Sequence, residues 1–187
     1  MNPASDEFLS PQILLDLVKS VLGGGIDFDP YSSVGQLVKC RDGLTITSDP
    51  EPLPKSGNFY ANIPFSKSEH AMERLATHFA ANPAINALVV CLAAPSSLYW
   101  ANTIWSPEIG CRRVGWLPRL SFLRLNEHGV AVPTEHGISR DIALSLWTSE
   151  ERLVSRFEKF VPLFDPPTKR PRKKPRPPVR ISLGGRK

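Results

Sequence analysis

Apolar and polar positions alternate along this chain in blocks that read as helices and strands in turn. Gln12-Ile-Leu-Leu-Asp-Leu-Val-Lys-Ser-Val-Leu22 is a largely apolar stretch with polar residues set into it, as in a helix that buries one face. Ser10 stands as its N-cap, Pro11 at its first position and Gly23-Gly24-Gly25 as its stop. Ile26-Asp-Phe-Asp29 reads as a short strand ended by Pro30, and Tyr31-Ser-Ser-Val-Gly35 as a turn before a short helix through Cys40. Asp42-Gly43 opens another connection, and the prolines of residues 48–57 predict a loop.

The second half of the pattern is similar. Asn58-Phe-Tyr-Ala61 is a compact apolar strand running into Asn62-Ile-Pro-Phe-Ser66, with a helix from Ser68 to Ala81. Ala87-Leu-Val-Val-Cys-Leu-Ala93 is a fully apolar strand of the kind buried in a parallel sheet. A helix is predicted around Ser97 to Trp105, short strands near Arg112 to Gly115, Ser121 to Leu125 and Asp141 to Leu146, and a helix from Glu150 to Lys159. Strands that alternate with helices predict an α/β layered fold, whose ligands sit beyond the carboxyl ends of the strands.

Charge divides the chain in two. Of its 23 basic and 18 acidic residues, nine basic and one acidic fall in 165–187, which leaves 14 against 17 and a net charge of −3 in 1–164. The stretch 165–180 holds six prolines and almost no apolar side chains, so residues 165–187 are expected to be a disordered tail and 1–164 a single domain. Such a tail neutralises phosphates without reading sequence. The apolar runs are too short to span a bilayer and the N-terminus lacks a signal-peptide pattern, so a cytoplasmic location is expected. Cys40, Cys91 and Cys111 are scattered, and His70, His78, His128 and His136 show no ligand spacing, so neither disulfides nor a metal site is expected. Ser32, Ser33 and Ser66 lack the Gly-x-Ser-x-Gly setting of a hydrolase nucleophile.

Two stretches stand at predicted strand ends, Asp29-Pro30-Tyr31-Ser32-Ser33 and Asn62-Ile63-Pro64-Phe65. The second suits methylation of an amino group. An exocyclic base amine is a poor nucleophile because its lone pair is delocalised into the ring. Two acceptors that draw its hydrogens out of the ring plane free that lone pair. An Asn side-chain oxygen and the following backbone carbonyl supply two acceptors, and an aromatic ring three residues on can stack on a base rotated out of the duplex. Asn62, the Ile63 carbonyl and Phe65 fit those roles, and Pro64 restricts Ile63 to extended conformations.

At this point the sequence resembles the S-adenosylmethionine-dependent amino-methyltransferases, whose loop is Asn or Asp, Pro, Pro and an aromatic residue, and especially the small phage-type DNA adenine methyltransferases. The resemblance covers residues 9–148 and rests on order: Ser10-Pro11, Phe28-Asp29-Pro30, Asp42-Gly43-Leu44, then Asn62-Ile63-Pro64-Phe65-Ser66. The apolar strand to Cys91 and the stretches Pro95 to Trp105 and Gly115 to Phe122 also look like the family's later segments. The resemblance implies a Rossmann-like methyltransferase sheet with helices on both faces, and S-adenosylmethionine as cofactor. It also implies double-stranded DNA as partner and a bacterial host cell, with a phage or plasmid as source. It would place Ser10, Pro11, Asp29, Pro30 and, more weakly, Asp42 at the cofactor. Asn62, Ile63, Pro64 and Phe65 would form the catalytic loop.

Departures are specific. Ile63 replaces a proline, so Asn62 is not restrained as a pre-proline residue and an extra backbone N–H appears. Only Gly35 lies near the expected cofactor loop. For DNA, Arg112, Arg113, Arg119 and Arg124 lie among Trp116 and Phe122, and Lys169, Arg170, Arg172, Lys173, Lys174 and Arg176 lie in the tail. The alternative reading is a non-catalytic DNA-binding or interaction protein with a degenerate methyltransferase fold, anchored by 165–187. A third is an α/β domain whose motifs are accidental.

Overall fold

The structure, a computed structural model, describes residues 8–32, 40, 53–117, 120–134 and 141–163. The expected tail 165–187, Asp42, Arg119 and residues 33–39 lie outside the described residues.

The first helix, α1, spans Gln12–Leu22 and buries Leu14, Leu15, Val18, Val21 and Leu22, one stripe at helical spacing. A helix of 11 residues is marginal alone, so this packed face is what holds it. It ends at Gly23, whose φ of 74° is left-handed and whose N–H closes on the Lys19 carbonyl at 2.9 Å. Its start differs from expectation. Pro11, not Ser10, is the capping position: the Pro11 carbonyl accepts from Leu14 and Leu15, and no side chain caps the helix. The Ser10 hydroxyl instead meets the Tyr60 hydroxyl at 2.5 Å in the interior.

The remaining elements follow in order: β1 (Gly57–Asn62), a 3-10 turn (Phe65–Lys67), α2 (Ser68–Ala81), β2 (Ile85–Leu92), α3 (Leu98–Asn102) and β3 (Cys111–Leu117). They are completed by β4 (Leu123–Leu125), β5 (Ala131–Pro133), β6 (Ile142–Trp147) and α4 (Glu151–Phe160). The main sheet has the order β1-β2-β6-β3. β1 and β2 are parallel, with Asn62 beside Val90, while β6 runs antiparallel to both β2 and β3. β3 therefore points the same way as β1 and β2. Beyond the free edge of β1 lie two further parallel contacts, Phe28 beside Phe59 and Cys40 beside Ile26. Cys40 is thus extended and sheet-paired, where a helix had been expected to end.

β2 is buried on both faces as its composition predicts, yet only one of its neighbours is parallel. An unbroken apolar run reports burial of both faces and says nothing of the partner's direction. Phe59, Ala61, Ala87, Val89 and Cys91 point towards α2 and Trp100, whereas Tyr60, Leu88, Val90, Leu144 and Leu146 point towards α1 and α4. The result is an α/β sheet with helices on both faces. β4 and β5 form a separate hairpin around Asn126, and β5 was not expected from the sequence. Residues 161–163 run antiparallel beside β3, with the Trp116 N–H on the Pro162 carbonyl at 2.8 Å. Gly115 permits that approach, since a Cβ there would lie 2.4 Å from the Pro162 oxygen. Among the described residues, no helix is long and apolar enough to cross a membrane.

Candidate functional site at the carboxyl ends of the parallel strands

Chain order fixes where the crevice of this sheet lies. From the 26–28 segment the chain moves outward to Cys40, then returns to place β1 on the opposite side of that segment. The direction of strand addition switches between 26–28 and β1, and in open α/β sheets ligands sit outside the carboxyl ends at such a point. The residues that follow those two ends are Asp29-Pro30 and Ile63-Pro64-Phe65. The tertiary structure therefore brings the two motifs to the same edge, on either side of the switch.

Asn62 closes β1. Its Nδ2 donates to the backbone carbonyl of Phe8 at 2.7 Å, and among the described residues its Oδ1 accepts no hydrogen bond. Ile63 is anchored twice. Its N–H, the group a proline would lack, donates to the Val90 carbonyl at 3.1 Å and adds a rung to the β1–β2 ladder. The whole residue, carbonyl included, is buried at 1% exposure in the core beneath α2. The Ile63 carbonyl accepts no hydrogen bond among the described residues. Two adjacent acceptors, Asn62 Oδ1 and Ile63 O, thus have no partner among the described residues, on a backbone held by ladder and core. An acceptor of this kind is met by water or by a ligand that donates hydrogens.

After Pro64 the chain turns into the 3-10 segment, with the Lys67 N–H on the Pro64 carbonyl and the Ser68 hydroxyl on the Phe65 carbonyl. Phe65 is half-buried, and its ring lies 5.5 Å from that of Phe8 at 36°. One ring is supported and the site keeps an aromatic wall. Phe8 in turn packs edge-on against Phe122.

Asp29 is buried, and its Oδ1 accepts from the Tyr31 N–H at 3.0 Å, turning the chain at Pro30. It lies close enough to Tyr60 for its charge to act there. Burial pushes the Tyr60 hydroxyl well above its ordinary range; the Ser10 bond opposes this and the Asp29 charge adds to it. Tyr60 consequently stays protonated, as a structural partner of Ser10. At the end of β2, the Tyr99 hydroxyl donates to the Leu92 carbonyl at 3.3 Å, and burial pushes its pKa up to about 12.

Phe8, Tyr60 and Tyr99 were not singled out from the sequence. A tyrosine inside an otherwise buried strand signals that its hydroxyl needs a partner, and Tyr60 was legible on that ground. The contribution of Phe8 to Asn62 is a backbone carbonyl, which leaves no mark in the sequence.

The expected DNA contacts are arranged differently. Arg112 and Arg113 lie at the amino end of β3, away from the edge that holds Asn62, and pair with Glu151 and Glu158 of α4. β2 and β6 separate their strand from β1, a span of roughly 14 Å at the ordinary strand spacing. Phe122 is buried at 1% exposure and cannot stack on a base, while Trp116 and Arg124 are exposed. Arg119, Asp42 and the tail residues Lys169, Arg170, Arg172, Lys173, Lys174 and Arg176 lie outside the described residues. No group of three or more His, Cys, Asp or Glu side chains that could hold a metal ion occurs among the described residues.

No protein-family model matches this sequence, and no curated protein matches it.

Proposed function

We propose that this chain transfers the methyl group of S-adenosylmethionine to the exocyclic amino group of adenine in DNA. The observation that carries the reading is Asn62 Oδ1, which accepts no hydrogen bond among the described residues, beside the Ile63 carbonyl at the strand-order switch. Two acceptors suit the two hydrogens of an amine. Phe65 supplies the wall for a flat ring, and Asp29 with the turn at Pro30 lies across the switch, where a cofactor would be held. An α/β sheet with helices on both faces is also the form that the resemblance implies.

The chemistry asks little else of the protein. S-adenosylmethionine, held beside Asp29 and the turn at Pro30, would supply an electrophilic methyl on a sulfonium. Asn62 Oδ1 and the Ile63 carbonyl would hold the amine hydrogens, leaving the nitrogen lone pair free to take that methyl, and the methylated nitrogen would give up a proton to solvent. Tyr60 does not serve as a base, because burial keeps its hydroxyl protonated against Ser10.

The test is transfer of labelled methyl from S-adenosylmethionine to unmethylated DNA, with digestion to nucleosides to locate the label. Label on N6-methyladenine in wild type, and loss of about 100-fold or more in Asn62→Ala, is expected when one preorganised polar group is removed. Cofactor binding with no transfer to any DNA would instead favour a non-catalytic interaction protein, a reading supported by the nine basic residues of 165–187. In that case, removing 165–187 should abolish DNA binding and flatten its salt dependence.

A further inference from the structure

The segment before α1 has a role that the motif itself does not contain. We infer that the Phe8 carbonyl is a positioning group that fixes the polarity of Asn62, so that the site offers only acceptors to its substrate. This rests on the amino-methyltransferase reading of the site.

An Asn amide is nearly symmetric in shape and can present either its oxygen or its NH2. Rotated by half a turn, Asn62 would offer a donor and suit a ring carbonyl instead of an amine. The Phe8 carbonyl at 2.7 Å from Nδ2 removes that option, because the rotated amide would set oxygen against oxygen. The carbonyl is itself held in place. Leu9 exchanges both backbone hydrogen bonds with Leu123, at 2.7 and 3.0 Å, one residue after Phe8. The Phe8 ring lies between Phe65 and Phe122, and Ser10 is tied to Tyr60 in the interior. The strap 8–10 thus connects β4, the catalytic loop and β1, and its backbone sets which atom of Asn62 remains free.

The discriminating substitution is Asn62→Asp. A site that needs only an acceptor accepts a carboxylate, and the family loop that this sequence resembles carries Asn or Asp. Here one carboxylate oxygen would face the Phe8 carbonyl. That disfavours the charged form and raises the folded-state pKa of the new carboxyl above its unfolded value of about 3.9. The penalty is therefore absent below the unfolded pKa, where a protonated oxygen can donate to Phe8, and appears as pH rises through the folded pKa. Tyr60 and Asp29, titratable groups on the elements packed here, and Lys67 in the following turn are present in wild type and variant alike. The wild-type curve accounts for their titration.

Two readouts are taken on the full chain. In thermal melts, Asn62→Asp should lie about 3–6 °C below wild type at about pH 8, with the gap narrowing below about pH 5 and nearly gone by about pH 3. In methyl transfer, the variant should lose about 10- to 100-fold at about pH 8 and recover relative to wild type as pH falls. A variant as stable as wild type at about pH 8, or a gap that does not change with pH, overturns the inference. So does full activity of the variant at that pH. The melts need no substrate. If wild type transfers no methyl group but the pH-dependent gap is present, the proposed function fails while the positioning by Phe8 stands.

Discussion

Replacing Ile63 by proline sets sequence resemblance directly against structure. By motif alone, Ile63→Pro restores the loop of the amino-methyltransferases that the sequence resembles and should improve the proposed activity. In the structure the Ile63 N–H donates to the Val90 carbonyl at 3.1 Å, and Val90 is fully buried, so no water can take over that acceptor. Proline removes the donor, at about 1–3 kcal/mol for a buried acceptor left unpaired. It also removes buried aliphatic volume beneath α2, on the order of 1 kcal/mol. Against this, a proline lowers the entropy of the unfolded chain and returns about 0.4–1 kcal/mol. The net expectation is destabilisation of about 1–3 kcal/mol, or a melting temperature lower by about 3–10 °C for a chain of this size. Ile63→Val is the control, because it trims the side chain but keeps the N–H, and should cost about 0.5–1.5 kcal/mol. Thermal and denaturant melts of the three proteins, with methyl transfer on the same samples, decide the matter. If Ile63→Pro melts no lower than Ile63→Val, the Val90 bond does not hold the loop and the reasoning fails. The structure also predicts no gain in transfer rate from the proline, since ladder and core already fix the backbone.

Other expectations follow from single contacts. Tyr60→Phe leaves the buried Ser10 hydroxyl without its 2.5 Å partner and should destabilise by about 1–3 kcal/mol in denaturant melts; a neutral result would mean that the bond contributes nothing. Its stability difference from wild type should stay constant between about pH 5 and about pH 9, because the Tyr60 hydroxyl remains protonated across that window. Gly115→Ala places a Cβ 2.4 Å from the Pro162 oxygen, so residues 161–163 should leave the edge of β3, read as faster hydrogen exchange of the Trp116 amide; unchanged protection would contradict the close approach.

Much of the architecture is written locally. The stripe of Leu14, Leu15, Val18, Val21 and Leu22, the Gly23 stop, the unbroken apolar run of β2 and the helix Ser68–Ala81 are decided by residues within a few positions of one another. Local chemistry also supplied the loop Asn62-Ile63-Pro64-Phe65 and the turn at Asp29-Pro30 as places to look. What depended on long-range pairing was not legible. The direction of β6 beside β2 and the sheet pairing of Cys40 require partners elsewhere in the chain, while the strand at 131–133 is a short local hairpin partner of β4 that its three residues do not mark. Ser10 illustrates the limit: as a sequence position it is a helix cap, but a buried Tyr60 fifty residues on claims its hydroxyl. Arg112 and Arg113 look like a basic patch until α4 brings Glu151 and Glu158 against them.

Sequence by itself determined which side chains are available at the strand ends, because Asn, Pro and Phe carry their chemistry wherever they are placed. Only the tertiary structure decided that Asp29 and Asn62 flank one strand-order switch, and that the Phe8 carbonyl takes the Nδ2 of Asn62 and leaves its oxygen without a partner among the described residues. It also decided that the N–H introduced by Ile63 is absorbed by Val90. The physical reason is the same in each case: a backbone group has no identity in the sequence, and its partner is chosen by packing.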